Sequence, residues 1–185
     1  MPATAAPYST VNRPALVRLV RAGLLTAVSD GVFSSVLAVA FYRSTIARLF
    51  QGVASTVLGR AAFDGGAPTA LLGVLMHFGV AFGWSAVFLV LVTRVPRVRR
   101  TVTSRYGVLK VAALYGPFIW MVMSLVIIPL LLHRPPTIGG RWWVQFVGHF
   151  PFVGIPIVAS IGGGSSRQDE QGSQLDSAAG IDRPS

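Results

Sequence analysis

The sequence reads as all-α, an integral membrane four-helix bundle with a short amphipathic helix in its first outer loop. Two observations lead there. Four stretches without Lys or Arg divide the 185 residues, Ala22–Tyr42, Ala61–Thr93, Val111–His133 and Trp142–Ser166. A hydrocarbon core about 30 Å thick takes roughly 20 apolar helical residues to cross, so each stretch is long enough. The composition agrees, with 52% apolar and only 12% charged residues, far from an average soluble domain. Four spans and their loops use most of the length, so one transmembrane domain is expected over residues 17–161, with spans near 20–42, 69–93, 111–132 and 142–161.

Residues 1–16 are small, polar and punctuated by Pro, and read as a flexible cytoplasmic tail. Arg18 and Arg21 ahead of an apolar run, with Ala38-Val39-Ala40 behind it, have the layout of a cleavable signal. Asp30 interrupts that run, and the run is long enough to span, so an uncleaved first helix is expected. The first outer loop, about Arg43–Pro68, repeats Ile46, Leu49, Phe50, Val53, Val57, Leu58 and Phe63 at nearly helical spacing, with Gln51, Ser55 and Arg60 among them. This pattern suits a short helix lying on the membrane surface or tucked back as a lid. Asp64-Gly65-Gly66-Ala67-Pro68 supplies the turn chemistry that ends it.

Trp142 and Trp143 begin the last span, where an aromatic belt at the outer interface would place them. Residues 162–185 open on three glycines and continue with Gln, Ser and acidic residues. Such a stretch lacks the apolar surface to offset its conformational entropy, and a disordered cytoplasmic tail is expected.

Of the sixteen basic residues, eleven lie in the N-terminal segment, the loop between the second and third spans, and the C-terminal tail. By the positive-inside rule both termini are cytoplasmic, in a multi-pass protein of the bacterial inner (plasma) membrane. The net charge of +10 is spread between and beside the spans. It therefore matches a lipid bilayer as partner rather than nucleic acid, for which no binding motif is present. The chain has no cysteine, which excludes disulfides and thiol chemistry.

Three spans each hide one ionisable residue, Asp30, His77 or His149, where such a group costs several kcal/mol unless paired or wetted. Thr26, Asp30 and Ser34 share one helical face, with Gly23 a turn away. His77 shares a face with Ala81, Trp84 and Phe88, and His149 with Gln145, Val153 and Ser160. Depth counted from the span ends leaves a vertical gap of roughly 6–8 Å between Asp30 and the histidines. Side chains and one water can bridge that gap. The candidate buried polar cluster is thus Asp30, His77, His149, Gln145 and Ser34.

Three readings of the cluster stay open: a proton relay or proton-coupled solute path, a metal site, and a hydrogen-bond network that only fixes the fold. The spacing matches no local metal motif, so neither metal nor cofactor is expected. Gly79 and Gly83 form a GxxxG pair nearly opposite His77, suited to close helix packing and to a homo-oligomer through the second helix. Pro151 and Pro156 should kink the last span and free backbone carbonyls. No HExxH, GxSxG, Walker or GxGxxG motif occurs, so no catalytic residue is assigned and an enzyme is not expected.

These residues resemble a family of small bacterial four-helix inner-membrane proteins of the YagU-like kind. The resemblance lies in Gly23, Asp30, Gln51-Gly52-Val53-Ala54-Ser55, Leu58-Gly59, Ala62-Phe63, Gly65-Gly66, the span bearing His77, Tyr106-Gly107, Pro129, His149 and Pro156. It covers about residues 20–160, whereas Trp142-Trp143 and the long polar tail depart from the pattern. It implies membrane location and architecture, and no particular reaction. The function expected is proton-linked permeation or a membrane stress role through the Asp/His cluster, its substrate unspecified. The alternative is a non-catalytic structural or assembly protein acting through helix and partner contacts.

Overall fold

The computed structural model describes residues 13–163, which are helical almost throughout. What the sequence suggests for residues 1–12 and 164–185 lies outside the described residues. Four helices are long and apolar enough to cross a membrane, Pro14–Phe41, Gly66–Arg94, Gly107–Leu132 and Gly140–Gly163. The chain is a multi-pass, all-α membrane bundle.

The first span is α1 (Arg13–Val36) continued by a π-helical turn, Leu37–Phe41. After it come α2 (Ile46–Leu58), a 3-10 turn, and the second span α3 (Gly66–Arg94). A short helix α4 (Pro96–Val102) leads to the third span, made of α5 (Gly107–Val122), a π-helical turn at Met123–Ile127, and α6 (Ile128–Leu132). The fourth is α7 (Gly140–His149), a π-helical turn at Phe150–Gly154, and helical residues 155–163.

The helices outrun the expected spans at six of their eight ends. Backbone hydrogen bonding continues past the hydropathic edge, and Arg side chains reach back toward polar surroundings. Residues 13–16, expected in the tail, are therefore the first turn of α1, and Gly162 and Gly163 are still helical.

Contacts arrange the spans around a ring in the order second, first, fourth, third. α1 packs on α3 and on the π-turn of the fourth span, and α5 packs on both α7 and that π-turn. Glycines permit the close approaches. A Cβ on Gly116 would strike the carbonyl of His149, and one on Gly154 would strike the carbonyl of Ala112, so the third and fourth backbones touch. Phe82 lies against Gly23, and Phe33 against Gly148 while stacking on Phe152 at 4.4 Å. Gly79 and Gly83 are not used in this way: a Cβ on either meets nothing within 4 Å.

Proline supplies a further join. Pro156 has no N–H to offer the carbonyl four residues earlier, that of Phe152. The Ser29 hydroxyl donates to this carbonyl at 2.6 Å, linking the first and fourth spans.

The two ends of the bundle differ in packing. At the end bearing α4, Phe88, Val92, Val102, Tyr115, Ile157 and Ile161 form a buried apolar core. Tyr115 also donates its hydroxyl to the Trp84 carbonyl at 2.8 Å, tying the third span to the second. At the other end the connections carrying Tyr42 and Arg141 meet, the guanidinium lying 4.2 Å from the ring centre. Here α2 bridges α3 and α6.

α2 is tucked back rather than laid on the surface. Thr45 caps its start by accepting from the Arg48 N–H, and Gly59 ends it at φ 61°, a left-handed conformation suited to glycine. Its polar side turns inward: Gln51 and Ser55 are buried, and Gln51 donates to the Gly66 carbonyl at 3.0 Å. Ile46, Val57 and Leu58 face outward. Leu49, Phe50 and Val53 are half-buried on the inner side as well, so α2 presents apolar residues both to the bundle and outward, which suits a helix at membrane depth. The Phe50 backbone seats against Gly73, with no room for a Cβ there.

Candidate functional site

Between the apolar core and α2 lies a cavity of about 440 Å³. All four spans and α2 contribute to its wall. Asp30, His77, His149, Gln145 and Ser34 all line it.

Asp30 and His77 face each other across the α1–α3 contact. Asp30 Oδ2 lies 3.9 Å from His77 Nδ1, with both side chains largely buried. That is closer than the water-bridged gap expected from depth counting. Helices of 28 and 29 residues exceed the hydrocarbon thickness, so their ends do not fix their relative register.

His77 Nε2 lies 3.0 Å from the Ala27 carbonyl. A carbonyl only accepts, so Nε2 carries a hydrogen and Nδ1 is the nitrogen that faces Asp30. The imidazole lies over Gly31, where a Cβ would make only an ordinary contact, 3.5 Å from Nε2.

His149 is held by the same logic turned around. Its Nδ1 lies 2.8 Å from the Gln145 carbonyl, which assigns the hydrogen to Nδ1 and leaves Nε2 to titrate. Trp120 sits beside it, ring centres 4.8 Å apart. Gln145 donates a long hydrogen bond to Ser34 at 3.4 Å, joining the fourth span to the first across the cavity wall.

Several buried polar atoms of the wall have no hydrogen-bond partner: Thr26 Oγ1, Asp30 Oδ1, Gln145 Oε1 and Trp120 Nε1. A buried polar group without a partner costs about 1–3 kcal/mol, so their gathering around one cavity calls for an explanation. Among the described residues, no three His, Cys, Asp or Glu side chains are grouped to hold a metal ion. Among the described residues, no Arg or Lys lines the wall.

Some placements differ from expectation. Trp142 and Trp143 do not share an interfacial role: Trp143 is exposed, while Trp142 is buried and donates its indole N–H to Ser124 at 2.9 Å. Helical spacing turns neighbouring residues about 100° apart, so one can face lipid while the next faces the bundle. Among the described residues Gly116 and Gly154 bring two span backbones together, and a Cβ on Gly79 or Gly83 would meet nothing within 4 Å.

Trp120 and Ser29 are site or linking residues that the sequence did not single out, while Thr26 joins the wall from the face it shares with Asp30. The only signal for Ser29 was Pro156, which marks the Phe152 carbonyl as unpaired. No family model matches the chain, and neither a curated protein nor a solved structure matches it.

Proposed function

We propose that the chain is a carrier of the bacterial plasma membrane, both termini cytoplasmic, that couples movement of a small solute to protons. The observation that carries this reading is the convergence of Asp30, His77 and His149, from three different spans, on one cavity. Ionisable side chains inside a membrane are expensive, and a shared cavity gives their cost a use. Each imidazole has one nitrogen on a backbone carbonyl and its second nitrogen outside that bond, the arrangement a proton-handling residue needs. The skew of basic residues toward the α4 end supports placing that end in the cytoplasm.

In this reading a proton on His77 Nδ1 pairs with Asp30, and entry of a solute disturbs that pair. The apolar core at the α4 end closes the cavity on the cytoplasmic side. Release there requires the third span to part from the second, with Tyr115 leaving the Trp84 carbonyl.

Proton flux into proteoliposomes, read with an internal pH dye, tests the proposal. Wild type should pass protons, and a folded Asp30→Asn protein should not. If neither passes protons while both elute as folded protein, the relay is wrong. If Asp30→Asn instead loses its folded yield, the cluster is a structural lock, the role of an assembly protein.

A further inference from the structure

The wall of the cavity is chemically one-sided. Among the described residues, Asp30 is its one acidic residue, and no Arg or Lys accompanies it. Three of its unpartnered atoms, Asp30 Oδ1, Gln145 Oε1 and Thr26 Oγ1, accept hydrogen bonds, against Trp120 Nε1 as a dedicated donor. A molecule that satisfies such a wall is rich in N–H donors.

Anions fit poorly. The only cations they would meet are protonated imidazoles. His77 and His149 already commit one N–H each to a backbone carbonyl, so each has only its second nitrogen to offer. Asp30 would stand beside any anion bound there.

Aromatic surface points the same way. Trp84, Trp120 and Phe50 line the cavity from the second span, the third span and α2. Ring faces attract cations, most strongly where water is excluded. A cavity of about 440 Å³ matches the volume of known small-molecule sites, roughly 300–1,000 Å³.

From this geometry we infer that the cavity takes an organic cation, with an ammonium or amidinium head against Asp30 and Gln145 and an apolar body among Trp84, Trp120 and α2. The inference rests on reading the cavity as a solute site and adds the class of solute.

The test is equilibrium binding to the full chain in lipid nanodiscs, by calorimetry, with empty nanodiscs subtracted. Three probes share one apolar body: phenylbutylammonium, phenylbutanol and phenylbutyrate. The ammonium should bind saturably, the alcohol about tenfold more weakly or worse, and the carboxylate not measurably. Asp30→Asn should erase the preference of ammonium over alcohol. Should that variant misfold, the order of the three probes on wild type decides alone.

Tighter binding of phenylbutyrate, or equal binding of all three, would overturn the inference. Binding is read without flux, so the two proposals fail separately. Proton flux without ammonium binding removes the cation class and leaves the carrier. Ammonium binding without proton flux keeps the site and removes the coupling.

Discussion

Gly116 has no side chain because the His149 carbonyl occupies the place a Cβ would take. Overpacking of this kind costs about 1–3 kcal/mol. Gly116→Ala should therefore lower the thermal unfolding midpoint in detergent, and it should disturb the His149 end of the cavity as well. Gly79→Ala and Gly83→Ala add a methyl where nothing lies within 4 Å, so both should unfold at the wild-type temperature. Equal losses at all three positions would contradict the packing described. Ser29→Ala leaves the Phe152 carbonyl without a partner, and should cost about 0.5–2 kcal/mol. Ser29→Thr keeps the hydroxyl and should recover part of the loss.

At the scale of the element, α2 is the piece most open to manipulation. Gly73 lets the Phe50 backbone sit against α3, and Gly73→Val should lift α2 from its seat. The absence of native cysteine makes the effect easy to follow. A single Met76→Cys on the cavity wall should react slowly with a water-soluble maleimide, and several-fold faster once Gly73→Val is added. Unchanged labelling would mean that α2 does not cover the cavity.

The spans and the existence of α2 were legible because length and apolar run carry them. The face that α2 buries was not, because its apolar residues lie on both sides, Leu49, Phe50 and Val53 inward and Ile46, Val57 and Leu58 outward. Asp30, His77 and His149 stood out as ionisable groups in apolar runs. Trp120 did not, since an aromatic in a span is ordinary. Gly116 and Gly154 lie in different spans, so no local spacing announces their contact.

For the molecule as a whole, the governing feature is the contrast between a filled end and a hollow one. The core around Phe88, Tyr115 and Ile161 seals the α4 end, while the cavity and α2 occupy the other. In the orientation proposed from the distribution of Arg the sealed end faces the cytoplasm, and this is testable by topology. Asp64→Cys, in the exposed turn before α3, should label with an impermeant maleimide in intact spheroplasts. Arg100→Cys in α4 should label only after the membrane is opened. The reverse pattern would invert the molecule and place the closed end outside.

The Ser29–Phe152 join has a consequence for how the protein is made. Its two partners are 123 residues apart, and the first span has its other long contact with α3. At a synthesis rate of about 5–20 residues per second, Ser29 waits roughly 6–25 s for its acceptor. During that time Ser29, Asp30 and Gln145's eventual partner Ser34 lie on an unfinished wall of the bundle. The first helix must therefore be sheltered by the insertion machinery, or by α3 alone, until the last span arrives.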